Sequence, residues 1–172
     1  MQIADPATLE MLRGKQVLVV DDDGASRRVV RALLAGLGIG RVIEAPDGKT
    51  AIEAILASAP DLVLLDWQMP GLDGAGLLRW VRHPGVFPHC DVPIVVLTGH
   101  GERSCVTEAI RLGAHEYLLK PVSTQALLAR LVAVFCHPRP MVQRGGFYGP
   151  QPRQTSAFRP DAPARRDTLF LN

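Results

Sequence analysis

Four mostly apolar runs in this 172-residue chain each end in a residue that can do chemistry. Val17-Leu18-Val19-Val20 leads into Asp21-Asp22-Asp23, and Leu62-Val63-Leu64-Leu65 leads into Asp66. Ile94-Val95-Val96-Leu97 leads into Thr98, and Glu116-Tyr117-Leu118-Leu119 leads into Lys120. Brought to one rim, these ends supply several carboxylates, a hydroxyl and an ammonium. Neighbouring carboxylates repel, and the usual remedies are a raised pKa or a bound cation. An oxygen-only donor set suits a hard ion, and Mg²⁺ is held by one or two carboxylates while keeping waters and phosphate oxygens. A carboxylate can itself accept a phosphoryl group as an aspartyl phosphate. A Lys and a Thr at the same rim would neutralise and hydrogen-bond that group.

Each residue also has a plainer role. A lone Asp after a strand is commonly a helix N-cap or a turn residue. Asp23 fits that role, because it stands beside Gly24 at a helix start. Lys120 alone could be an ordinary surface lysine and Thr98 a turn residue. Their coincidence at the carboxyl ends of four strands favours a site.

The elements that must position them alternate in type. The runs at 17–20 and 62–65 are continuously apolar, as expected for strands buried on both faces. A shorter strand is read over Arg41–Ala45, a fourth over 93–98 and a fifth over Glu116–Leu119. Between them lie helices over Ser26–Leu37, Thr50–Ser58, Asp73–Arg82 and Arg103–Leu112. The first carries an apolar stripe of Val29, Val30, Leu33, Leu34 and Leu37. Ser123 is placed to cap a fifth helix with Leu127, Leu128, Leu131, Val132 and Phe135 on one face. Five strands alternating with five helices predict an α/β fold with a parallel sheet covered on both sides. In such a sheet, functional groups collect at the carboxyl ends of the strands.

Residues 1–14 read as an N-terminal extension with one short helix around Pro6 to Arg13. From 137 onward six prolines, six Arg and two Asp, without apolar periodicity, read as a basic, irregular tail with no effector domain. Cys90, Cys105 and Cys136 are odd in number and widely spaced, which argues against a disulfide framework or zinc site and fits a reduced cytoplasmic setting. The N-terminus shows no signal-peptide pattern, and no apolar run reaches membrane-spanning length.

Val20-Asp21-Asp22-Asp23, Leu65 to Gly74, Leu97-Thr98-Gly99 and Leu119-Lys120-Pro121 resemble, in order, the four motifs of a receiver domain of two-component signalling. The resemblance covers about residues 15–136 and is closest to single-domain, chemotaxis-type receivers. It implies a flavodoxin-like (βα)5 doubly wound sheet with strand order 2-1-3-4-5. Asp66 would be the phosphoacceptor, with Thr98 and Lys120 reading the phosphoryl group. Asp22, Asp66 and the backbone carbonyl of Gln68 would ligate Mg²⁺, with Asp21 acting mainly through water. A cis bond at Lys120-Pro121 is expected by the same route. Tyr117 takes the place of the family's switch aromatic, and Gln68 and His100 take the positions that tune phosphate lifetime.

The function so implied is a phosphorelay response regulator, not an enzyme beyond its own phosphorylation and dephosphorylation. A sensor histidine kinase or phosphotransfer protein would supply the phosphoryl group. Output would run by protein–protein contact through the face of the fourth helix, fifth strand and fifth helix. A homodimer is compatible with that output; nucleic acid is not an expected partner, because the tail is too short for a helix-turn-helix domain. A phosphate sink or relay would need the same site. The rival from another class is a haloacid-dehalogenase-like phosphatase with Asp21 as nucleophile, suggested by Asp21-x-Asp23-Gly24. Against it, only Asp161 and Asp167 remain after Lys120 to complete such a metal site. One departure from the receiver pattern is the loop from His83 to Asp91, somewhat long before the fourth strand.

Overall fold

Alternate side chains of a strand point to opposite faces, so a continuously apolar strand must be covered on both. The computed structural model, which describes residues 6–99 and 103–153, shows this arrangement. Strands β1 (Gln16–Val20), β2 (Arg41–Ala45), β3 (Leu62–Asp66), β4 (Ile94–Thr98) and β5 (Glu116–Leu119) form one sheet. Its order is β2-β1-β3-β4-β5, and every neighbouring pair is parallel.

Helices α1 (Pro6–Arg13), α2 (Gly24–Gly36) and α6 (Thr124–Phe135) cover one face; α3 (Gly48–Ser58), α4 (Gly74–Val81) and α5 (Arg103–Arg111) cover the other. Val17, Val19, Leu62, Leu64, Val95 and Leu97 face the first group. Leu18, Val20, Val63, Leu65, Ile94 and Val96 face the second. The strict alternation explains why these runs carry no polar residue until they leave the sheet.

Helix starts follow the expected chemistry. Asp23, Asp47, Asp73 and Ser123 cap α2, α3, α4 and α6, each side chain accepting from a backbone N–H of the first turn. Of the stripe expected on α2, Val30 and Leu34 are buried, but Val29 is exposed at the stripe's edge. The expected N-terminal helix is present, and its Leu12 is fully buried in the core under α2 and α6. The Lys120-Pro121 bond is cis.

The segment after Pro138 differs from the irregular tail expected there. Strands β6 (Met141–Arg144) and β7 (Phe147–Pro150) form an antiparallel hairpin. The turn is Gly145-Gly146, with Gly145 at φ +58°. A two-residue glycine turn between short strands is a hairpin signal in its own right, and the surrounding prolines obscured it. Residues 154–172, the remainder of that tail, lie outside the described residues.

Candidate functional site

Parallel register brings the ends of β1, β3 and β4 level at one edge of the sheet. Val20 pairs with Leu65, and Asp66 pairs with Leu97, so Asp21, Asp66 and Thr98 leave the sheet side by side. Thr98 pairs with Leu119, and its carbonyl accepts the Lys120 N–H at 2.8 Å, which fixes Lys120 at the same rim.

Lys120 is the centre of the charge arrangement. Its Nζ lies 2.7 Å from Asp21 Oδ2 and 3.0 Å from Asp66 Oδ1. Asp21, Asp22 and Asp66 each offer a carboxylate oxygen within 4.8 Å of the others. Asp21 and Asp66 are buried, whereas Asp22 is exposed. These oxygen donors are the set a hard divalent cation takes.

The three aspartates differ in their engagements. Asp21 Oδ1 accepts from the Asp23 N–H at 2.9 Å, and Oδ2 accepts from Ser26 Oγ at 2.6 Å as well as from Lys120. Burial works to raise the Asp21 pKa, but the hydrogen bonds from Lys120, Ser26 and Asp23 outweigh it and hold the carboxyl below its ordinary value. Asp66 moves the other way. Burial raises it, repulsion from Asp21 and Asp22 adds to the rise, and Lys120 only partly opposes it. Burial pulls Lys120 down, but hydrogen bonds and charge from Asp21 and Asp66 overcome this and raise it.

Asp23 points elsewhere. Its Oδ1 accepts from Ala25 N at 2.9 Å as the α2 cap, matching the structural role read from its neighbour Gly24. Gln68 is exposed in the loop two residues beyond Asp66. Gly74 packs under that loop: a Cβ there would meet the Asp66 carbonyl oxygen at 2.8 Å. Thr98 is buried beside the site. Tyr117 is half-buried on β5, with the Arg130 guanidinium 5.8 Å from its ring centroid. His100 lies outside the described residues. Both Asp21 oxygens accept hydrogen bonds, from the Asp23 N–H on one side and from Ser26 and Lys120 on the other.

Residues 17–132 match the family model for the response regulator receiver domain. The chain belongs to the response regulator receiver family. It is 34% identical over 120 residues to the chemotaxis protein CheY of Pseudomonas aeruginosa, covering 70% of this chain and 95% of that protein. A putative response regulator from Chloroflexus aurantiacus superposes with TM-score 0.66 at 32% identity, covering 72% of this chain and 98% of the other. The receiver domain of a sensor histidine kinase from Pseudomonas aeruginosa, crystallised with magnesium coordinated in its active-site cleft, gives TM-score 0.62 at 29% identity. That match covers 69% of this chain and 95% of the other. A receiver of CheY type takes a phosphoryl group from a histidine kinase onto an aspartate. Among the described residues no helix is long and apolar enough to cross a membrane, and all three cysteines are free.

Sequence reasoning overlooked two buried polar residues, Arg82 and His115. Arg82 donates to the carbonyls of Gly113 at 2.9 Å, Val92 at 2.9 Å and Cys90. His115 Nδ1 lies 3.4 Å from Arg82 Nη2. No local spacing marks either residue, because their partners come from separate loops.

Proposed function

We propose that Asp66 accepts the phosphoryl group in a Mg²⁺-dependent transfer from a sensor histidine kinase or phosphotransfer protein. The observation that carries this reading is Lys120 bridging Asp21 and Asp66 while Asp22 completes an oxygen-donor cluster. A carboxylate oxygen of Asp66 attacks phosphorus. An O–P bond forms, the N–P bond of the phosphohistidine breaks, and the imidazole leaves with the electron pair. Lys120 balances charge on the transferring group, and the Thr98 hydroxyl donates to it.

The donor set fits Mg²⁺, which when bound would neutralise the phosphoryl oxygens. Asp22, Asp66 and the Gln68 carbonyl are the direct ligands in this reading. Asp21 acts through water, in keeping with its oxygens being committed to Ser26, Asp23 and Lys120. Receiver chemistry stops at the protein's own phosphorylation and dephosphorylation, and the setting is the cytoplasm. Output runs from Thr98 through Tyr117 to the α5–β5–α6 face.

The test is incubation with acetyl phosphate and Mg²⁺, acid quenching and peptide mapping. Label is expected on Asp66 only, lost with EDTA and in Asp66→Asn. Label on Asp21, or retained labelling in Asp66→Asn, refutes the assignment.

A further inference from the structure

The hairpin of β6 and β7 does not project from the domain. Its backbone lies against the turn between α5 and β5. A Cβ on Gly113 would meet the Tyr148 carbonyl oxygen at 2.5 Å, and a Cβ on Gly149 would meet Gly113 Cα at 2.7 Å. Arg139 donates to the Gln151 carbonyl at 3.0 Å and to the His115 carbonyl, tying the hairpin base to the start of β5. Tyr148 Oη donates to Asp91 in the loop before β4.

An open pocket of about 530 Å³ lies where the hairpin, β5 and α6 meet. Its charge is one-sided: Arg111, Arg130, Arg139 and Arg153 line it, with Glu116 as the only acidic lining residue among the described residues. Glu116 lies 3.8 Å from Arg130 and 3.5 Å from Arg139 and also pairs with Arg153. One carboxylate thus holds three guanidinium groups around the opening and leaves their charge in excess. The walls between them are apolar, from Ile110, Tyr117, Phe147 and Pro150.

We propose that this pocket docks an acidic peptide segment of a partner protein, with an apolar side chain seated between Tyr117 and Phe147 and flanking carboxylates on the arginines. Charge complementarity selects the occupant, since guanidinium groups match carboxylates with paired hydrogen bonds. The concave, apolar walls favour peptide over nucleic acid, whose phosphates would leave Ile110, Tyr117 and Phe147 unused. Residues 154–172 are a poor occupant by charge, with three Arg against two Asp. The proposal deepens the receiver reading: Tyr117 belongs to the pocket wall, so the pocket places the output contact and gives its chemistry. Arg139, Phe147, Pro150, Pro152 and Arg153 of the site are supplied by the segment that follows the receiver domain.

The test uses the full chain and a fluorescein-labelled Glu-Glu-Leu-Phe-Glu-Glu peptide, read by anisotropy. Controls are the Lys-Lys-Leu-Phe-Lys-Lys peptide, a Glu-Glu-Gly-Gly-Glu-Glu peptide and a labelled DNA duplex. Saturable binding of the acidic apolar peptide is expected, with each control at least tenfold weaker. Arg153→Glu, an exposed position, is expected to weaken binding about tenfold by exchanging an attraction for a repulsion. Gly149→Leu is expected to lift the hairpin and remove binding, while acetyl phosphate labelling of the same sample shows that the domain is folded. Equal binding of the basic peptide or the duplex, or undiminished binding in both variants, overturns the proposal. Labelling of Asp66 without peptide binding defeats the pocket and leaves the phosphoacceptor reading standing. Peptide binding without labelling does the reverse.

Discussion

Lys120→Met isolates the electrostatic logic of the site. The methionine keeps the length of the lysine stem and removes the charge that lies 2.7 Å from Asp21 and 3.0 Å from Asp66. At an effective dielectric near 20 each contact represents about 6 kcal/mol of gross attraction. Desolvation of the three ions offsets most of it, and removing one partner from a buried pair costs about 3–5 kcal/mol. Lys120 is 24% exposed, which favours the lower end, about 3 kcal/mol. For a chain of this size that lowers the melting temperature by about 6–12 °C in EDTA. Added Mg²⁺ recovers about 2.7 kcal/mol at a hundredfold excess over its dissociation constant. The Mg²⁺-induced rise is larger in the variant than in the parent, because the cation then meets carboxylates that no ammonium neutralises. Acid also narrows the gap. Asp66 has a raised folded pKa, so its contribution to stability is present below its unfolded value and is lost as pH rises through the folded one. Thermal melts in EDTA and in Mg²⁺ across pH check all three statements. A variant melting at or above the parent in EDTA at neutral pH would refute the reasoning, because Lys120 would then not be neutralising the pair.

Asp22→Ala and Asp23→Ala separate the adjacent acids. Asp22→Ala is expected to weaken Mg²⁺ binding at least tenfold, read by the fluorescence of Trp67 beside Asp66, with little change in metal-free stability. Asp23→Ala removes the α2 cap, costs about 1 kcal/mol and leaves Mg²⁺ binding within twofold; the opposite pattern would exchange their roles. His115 gives an acid limb. Burial, then repulsion from Arg82 and Arg139, pushes its pKa down to about 3. A base with a depressed folded pKa stabilises fully above its unfolded value near 6.5 and loses that contribution as pH falls toward the folded one. His115→Asn should therefore flatten the loss of stability between about pH 6.5 and pH 3, and NMR should show no ring protonation near pH 6; a normal ring titration would contradict the burial argument.

The alternation of elements was legible because strands buried on both faces tolerate nothing but apolar residues. The runs 17–20, 62–65 and 94–97 therefore announce themselves. The site was legible for a related reason. Where such a run stops at Asp21, Asp66 or Thr98, the polar residue can only lie at the sheet's edge. Differences within the site were less so. That Asp21 is committed to Ser26 and Lys120 while Asp22 stays exposed depends on contacts reaching as far as 99 residues along the chain. The hairpin was concealed by composition: its prolines and arginines resemble a solvated tail, and only Gly145-Gly146 marks the turn. The backbone contact of Gly149 with Gly113 is a tertiary fact without a local signature.

The loop at 83–91 and the C-terminal hairpin meet around Arg82. The loop supplies the Cys90 carbonyl and, just beyond it, Val92 supplies another; the α5–β5 turn supplies Gly113; and Asp91 receives the hydroxyl of Tyr148. Burial pulls the Arg82 pKa down to about 10, opposed by Asp91, Cys90 and Tyr148, so the guanidinium remains charged at neutral pH. A planar group with several donors can satisfy three carbonyls at fixed angles, whereas an ammonium on a flexible stem cannot. Arg82→Lys should therefore cost about 2–4 kcal/mol through unsatisfied carbonyls. The loss should appear first as hydrogen-exchange deprotection of residues 141–150, because Gly113 and the loop together form the hairpin's seat. Phosphorylation of Asp66 should persist, since Arg82 makes no contact with Asp21, Asp66 or Lys120. Uniform deprotection of β1 and β3 along with the hairpin would show instead that Arg82 supports the whole domain rather than the seat.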